Sequence, residues 1–145
     1  MSGRCLCGKV SFTNKSVHDV GICHCDMCRR WCGGPGMAVH IKDKPAITGE
    51  DHIKWFKSSD WAERGFCAEC GSNLFYRLNL ETPEYVVFAG AYDDQSVFKM
   101  QNQIFIDEKP AYYDFAGDIP SMTGAEVFAM YYAESNEEGE RESQP

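Results

Sequence analysis

Cysteine placement constrains this sequence more than any other feature. Of eight cysteines in 145 residues, seven fall into three tight groups: Cys5 with Cys7, Cys23 with Cys25 and Cys28, and Cys67 with Cys70. Thiols two or three residues apart in a turn can aim their sulfurs at one point about 2.3 Å away, which is what tetrahedral zinc demands. An even count would also suit disulfides in an oxidising compartment. A reducing one keeps thiols free, and clustering there points to metal. No apolar run reaches the length of a membrane span, and the first residues, MSGRCLCGKV, lack the apolar stretch of a secretory signal. The chain is therefore expected to be cytoplasmic, with zinc rather than disulfides.

Two pairs make a closed site and a triplet makes an open one. The economical partition joins Cys5 and Cys7 to Cys67 and Cys70, a structural centre whose binding energy is folding energy because no site exists in the unfolded chain. Cys23, Cys25 and Cys28 then share a second zinc, with a fourth position for water, substrate or another side chain. Three rivals could close it: Cys32, His24 or a residue of a partner chain. Cys32 follows Cys28 by one helical turn, but Gly33, Gly34 and Pro35 would end such a helix at once, and a buried packing role is its plain alternative. His24 lies between two ligands, and alternation directs it away from them. Two zinc ions per chain are expected.

A chain of this length makes one domain. Apolar residues at 43% and aromatic ones at 13% fit a packed globule. A formal charge of −8 argues against a nucleic-acid partner, since phosphate binding needs a basic stripe. Part of the acidic excess sits in residues 134–145, read as a solvated, disordered tail after a single domain over 1–133. Short β-branched and aromatic runs at Val10–Thr13, Met37–Ile41, Ile53–Lys57, Leu74–Leu80, Tyr85–Ala91 and Gln103–Ile106 predict antiparallel strands. Helices are expected around Asp26–Trp31 and over Thr123–Ala133, the latter opened by a Thr123/Glu126 capping box. The fold class is mostly β, a small zinc-stabilised antiparallel sheet fold with one or two short helices.

With these residues in place, the sequence resembles the family of glutathione-dependent formaldehyde-activating enzymes, which also includes centromere protein V. The resemblance spans about residues 3 to 120 and rests on GRCLCGKV, CHCDMCRRWCGG, RGFCAECGSNLFYR and QIFIDEKPAYYDFAGDIP, in that order. It implies a β-rich zinc fold described as a β-tent. Cys5, Cys7, Cys67 and Cys70 match the family's structural zinc ligands, and Cys23, Cys25 and Cys28 match the catalytic zinc to which glutathione has access. The implied activity is that of a carbon–sulfur lyase, condensing glutathione with formaldehyde to S-hydroxymethylglutathione. Gln103 stands where many members carry His, and Cys32 where small or polar residues are usual.

The triplet's chemistry can be read from its charge. Zinc with three thiolates carries about −1, so it polarises water less than a histidine-bound ion does. A thiol as fourth ligand can instead be kept deprotonated beside an electrophile, which suits addition to an aldehyde. Arg29 and Arg30 are candidates to offset the site's charge or clamp a carboxylate, and otherwise form a solvated basic face. Trp31 and Trp55 could wall a pocket or simply pack, and Gly33 with Gly34 could admit an anion or simply turn the chain. A small thiol and a small aldehyde are the expected partners, and a homodimer is left open. The competing classes are a non-catalytic zinc module that carries a thiol or binds a protein, and a zinc hydrolase of a C=N electrophile using Glu69 or Asp26.

Overall fold

The computed structural model describes residues 1–80 and 82–142, with side chains described as far as residue 133. In chain order the first elements are β1 (Ser2–Arg4), β2 (Ser11–Thr13), β3 (Asp19–Cys23), α1 (Asp26–Cys32), β4 (Gly36–Ile41) and β5 (Ala46–Thr48). Then come β6 (Ile53–Lys57), β7 (Ala62–Cys67), β8 (Asn73–Leu78), β9 (Tyr85–Phe88), β10 (Lys99–Ile104), β11 (Ser121–Met122) and α2 (Gly124–Glu142). Among the described residues the strands form a three-stranded sheet, β1-β2-β5, and an eight-stranded sheet, β11-β10-β3-β4-β9-β8-β7-β6. The fold is mostly β, as expected, and every pairing from β3 to β6 is antiparallel. The far end of the large sheet differs: β10 runs parallel to both β3 and β11.

Side chains alternate across a strand, so register decides which face each residue serves. Val39, Val87, Phe75, Gly65 and Trp55 stand opposite one another across β4, β9, β8, β7 and β6. The small sheet lays Phe12 against this row, its ring 5.3 Å from Phe75 and 5.2 Å from Tyr92, both edge-on. Phe12, Val39, Leu74, Phe75 and Val87 are buried in this core. Burial of each such side chain contributes about 1.5–3 kcal/mol. The adjacent row, on the opposite face, is His40, Val86, Tyr76, Arg64 and Phe56. Helix α1 leans on this second face, with Trp31 stacked on Phe56 at 6.0 Å and edge-on to Phe66 at 5.7 Å.

The capping box of α2 forms as expected: the Thr123 N–H donates to Glu126 Oε2 at 2.6 Å and the Glu126 N–H to Thr123 Oγ1 at 3.3 Å. Val127, in the helix's first turn, is buried. The helical backbone continues to Glu142, past the boundary expected after residue 133. The acidic side chains of 134–142, and residues 143–145 altogether, lie outside what is described. No described helix is long and apolar enough to cross a membrane.

Candidate metal centres

The first centre joins two turns from distant parts of the chain. Cys5 and Cys7 lie between β1 and β2, where the Cys5 N–H reaches the Val10 carbonyl at 2.9 Å and the Val10 N–H points at Cys5 Sγ at 3.3 Å. Cys67 ends β7, and Cys70 sits in the turn before β8. Gly71, at φ 74, closes that turn with its N–H on the Cys67 carbonyl at 2.8 Å, a left-handed position that favours glycine. The two turns are stitched by Ser72: its Oγ accepts from the Leu6 N–H at 3.0 Å and lies 3.2 Å from Cys70 Sγ. That contact holds the Cys70 thiol down to about 5. The four sulfurs all lie within 4.8 Å of one another. Cys5–Cys7 and Cys7–Cys67 separations are 3.5 and 3.8 Å. A tetrahedron with 2.3 Å arms has edges of about 3.8 Å, so the donors fit zinc.

The second centre is local. Cys23 is the last residue of β3, Cys25 caps α1 with its Sγ accepting the Cys28 N–H at 3.4 Å, and Cys28 lies in the helix's first turn. Gly33, at φ 72, ends α1 by donating to the Arg29 carbonyl at 2.9 Å, so the chain turns back into β4. There Gly36 faces Cys23, and a Cβ at 36 would lie 3.3 Å from Cys28 Cβ. The three sulfurs lie within 4.8 Å of one another. Three thiols this close cannot all ionise without a cation among them. Hydrogen bonds from Cys23 and Cys25 hold the Cys28 thiol down to about 3 against its burial, and the positive charge of Arg64 adds to the effect. The same crowding, led by the contact with Cys25, pushes Cys23 up.

The structure thus brings together Cys5, Cys7, Cys67 and Cys70 in one group and Cys23, Cys25 and Cys28 in another. Cys32 joins neither: among the described residues it is absent from the sulfurs gathered at the triad, and burial pushes its thiol up to about 11. His24 is fully buried and turned away from the sulfurs. Its Nε2–H donates to Gln103 Oε1 at 2.9 Å, and its Nδ1 accepts from the Tyr113 hydroxyl at 2.7 Å. Burial holds it below its usual value, opposed by the Gln103 bond.

Other expected contributors are engaged elsewhere. Arg29 donates to the His24 carbonyl at 2.8 Å and stands 3.8 Å from Asp26, and Arg30 donates to Asp26 at 2.8 Å, so the described contacts of both lead away from the triad sulfurs. Glu69 stands 3.6 Å from His52, and no carboxylate joins the triad among the described residues. Trp55 packs on Phe75 under Arg77, which lies 3.8 Å above its ring. Trp31 instead borders the second centre, with the Arg64 guanidinium 5.9 Å from its ring.

Sequence reasoning missed Arg64 and Tyr113. Arg64 Nη2 is 3.7 Å from Cys28 Sγ. Its signal was present: an arginine in the middle of the segment AERGFC, three residues before Cys67. A surface cleft of about 540 Å³ bordered by Arg4, Leu6, Ser72, Asn73 and Tyr92 lies beside the first centre, not the triad.

The chain is similar to known proteins over most of its length. Residues 1–108 match the family described as glutathione-dependent formaldehyde-activating enzyme, a span that contains all seven clustered cysteines. An uncharacterized lyase of Schizosaccharomyces pombe is 32% identical over 128 residues, which is 86% of this chain and 92% of that protein. A crystal structure of a Rhodobacter sphaeroides protein shares the fold with a TM-score of 0.54 at 19% identity, covering 84% of this chain and 100% of that one.

Proposed function

The chain belongs to the family of glutathione-dependent formaldehyde-activating enzymes, and from that membership we propose that it joins a glutathione-type thiol to formaldehyde or another small aldehyde. Cys5, Cys7, Cys67 and Cys70 hold a structural zinc, and Cys23, Cys25 and Cys28 hold the zinc at which the chemistry occurs. The observation that carries this reading is the contrast between four gathered sulfurs in one cluster and three in the other. A bound zinc at the triad supplies positive charge that favours the thiolate form of an incoming thiol.

The protein's own residues do the positioning. Cys25 both belongs to the triad and caps α1, so the helix start and the sulfur positions are fixed together. His24, neutral and held at both ring nitrogens, locks the β3 end to β10 through Gln103 and to the later chain through Tyr113. The reaction balances without oxidant or reductant. The sulfur lone pair forms the C–S bond, the carbonyl π pair moves to oxygen, and the proton lost by the thiol ends on that oxygen.

The test follows ¹³C-formaldehyde and glutathione by NMR, with metal content measured on the same sample. Two zinc ions per chain and adduct formation faster than the spontaneous reaction, lost in Cys28→Ser, are expected. Two zinc ions with no acceleration would leave a non-catalytic thiol-binding module as the better description.

A further inference from the structure

A guanidinium withdrawn from water requires an anionic partner or a dense set of hydrogen bonds. Arg64 is 3% exposed, in a strand paired on both sides, with Phe56 and Tyr76 as its cross-strand neighbours. Its guanidinium lies 5.1 Å from the Tyr76 ring and 5.9 Å from that of Trp31. Among the described residues no carboxylate is in ion-pair range of it. Arg77 on the next strand shows the ordinary arrangement by contrast, with Nε and Nη2 on Glu63 Oε2 at 2.9 and 2.7 Å. The polar contact described for Arg64 is instead the sulfur of Cys28 at 3.7 Å.

We infer that Arg64 is the built-in counter-charge of the second centre, a positioning residue that favours an anionic thiolate over a neutral molecule as fourth ligand. This rests on the reading that Cys23, Cys25 and Cys28 hold zinc with a position left for a thiol. A dication with three thiolates carries a charge of about −1. Arg64 brings the local sum to zero. An incoming thiolate then leaves the group at about −1 instead of about −2, while water gains nothing comparable from the arginine. The aromatic walls matter to the same end, because Tyr76 and Trp31 keep solvent from screening the charge. Arg29 and Arg30 differ from it in contact: theirs are with the His24 carbonyl and Asp26, whereas that of Arg64 is with a triad sulfur.

The experiment uses the full chain with cobalt(II) in place of zinc, in wild type, Arg64→Met and Arg64→Lys. Second-centre affinity is read by competition with a chromophoric chelator, and thiol binding by the sulfur-to-cobalt charge-transfer bands during glutathione titration. Loss of an outer-shell partner typically weakens metal binding about 10–100-fold. Arg64→Met should show that loss at the second centre alone. It should also need about tenfold more glutathione for the same spectral change, with partial recovery in Arg64→Lys. A merely structural arginine would lower the melting temperature and leave metal and thiol affinities at wild-type values, which overturns the inference. Should Arg64→Met fail to fold, Arg64→Gln replaces it, and equal affinities in the Gln and Lys variants overturn the inference as well. A wild type whose second-centre bands ignore glutathione overturns the open-site reading itself, and the role of Arg64 with it.

Discussion

Cys25 serves two structures with one sulfur: it accepts the Cys28 N–H as the cap of α1 and stands in the triad. Serine is a good helix cap but a poor zinc ligand. Cys25→Ser should therefore yield a folded protein with one metal in place of two. Cys67→Ser strikes differently, since Cys67 is fully buried in the main core and ends β7. That variant should lose cooperative folding along with the first centre. Thermal denaturation and metal content measured together separate the two; equal destabilisation would make the triad structural as well. Cys32→Ser should keep both metals and change stability modestly, because its thiol packs outside the triad. The sulfur groups were legible in the sequence because their members are neighbours in the chain, or pairs of neighbours that tetrahedral geometry must combine. The counter-charge was not. Adjacency favoured Arg29 and Arg30, whereas the arginine that reaches Cys28 comes from β7, delivered by sheet register.

Among elements, β7 explains most of what the sequence concealed. Its residues AERGFC include two charges and a glycine, a composition with little intrinsic strand preference, yet it pairs along its length with β6 and β8. Pairing on both sides, with Glu63 salt-bridged to Arg77 and Gly65 lying under the Trp55 ring, overrides that preference. β3 and the short β1, β5 and β11 escaped notice for similar reasons, being brief or glycine-containing and stabilised by their neighbours. Helix α2 was legible because its start signal is local. Thr123→Ala should lower the melting temperature by roughly 2–4 °C, the scale of one lost cap in a domain of this size. Its partner Glu126 is held below the usual 4.5 by the Thr123 N–H and hydroxyl. A depressed carboxylate contributes stability above its unfolded value and loses it as pH falls through the folded one. The stability gap between wild type and Glu126→Gln should accordingly hold from pH 7 down to about 4.5 and narrow as pH is lowered further; a gap unchanged below 4.5 would remove the carboxylate from the cap.

At the scale of the whole molecule, the first centre clasps the small sheet to the large one, since Cys5 and Cys7 join β1 to β2 and Cys67 and Cys70 join β7 to β8. A strong chelator should draw metal in two steps: first from the triad with little change in far-ultraviolet circular dichroism, then from the four-cysteine centre with collapse of the signal. A single concerted step would contradict the division of labour. The same connectivity dictates an order of birth. Cys23, Cys25 and Cys28 emerge together at the end of one strand and the start of one helix, and can capture a metal as soon as that segment is made. Cys5 and Cys7 must wait until the chain has been extended to Cys70, because closing a distant pair requires the intervening strands to come into place. During synthesis the early pair is thus exposed as a half-built clasp, open to oxidation or to the wrong metal. Closure at the turn between β7 and β8 ends that exposure, so the time taken to translate and fold the chain from Cys7 to Cys70 sets how long the nascent protein is vulnerable.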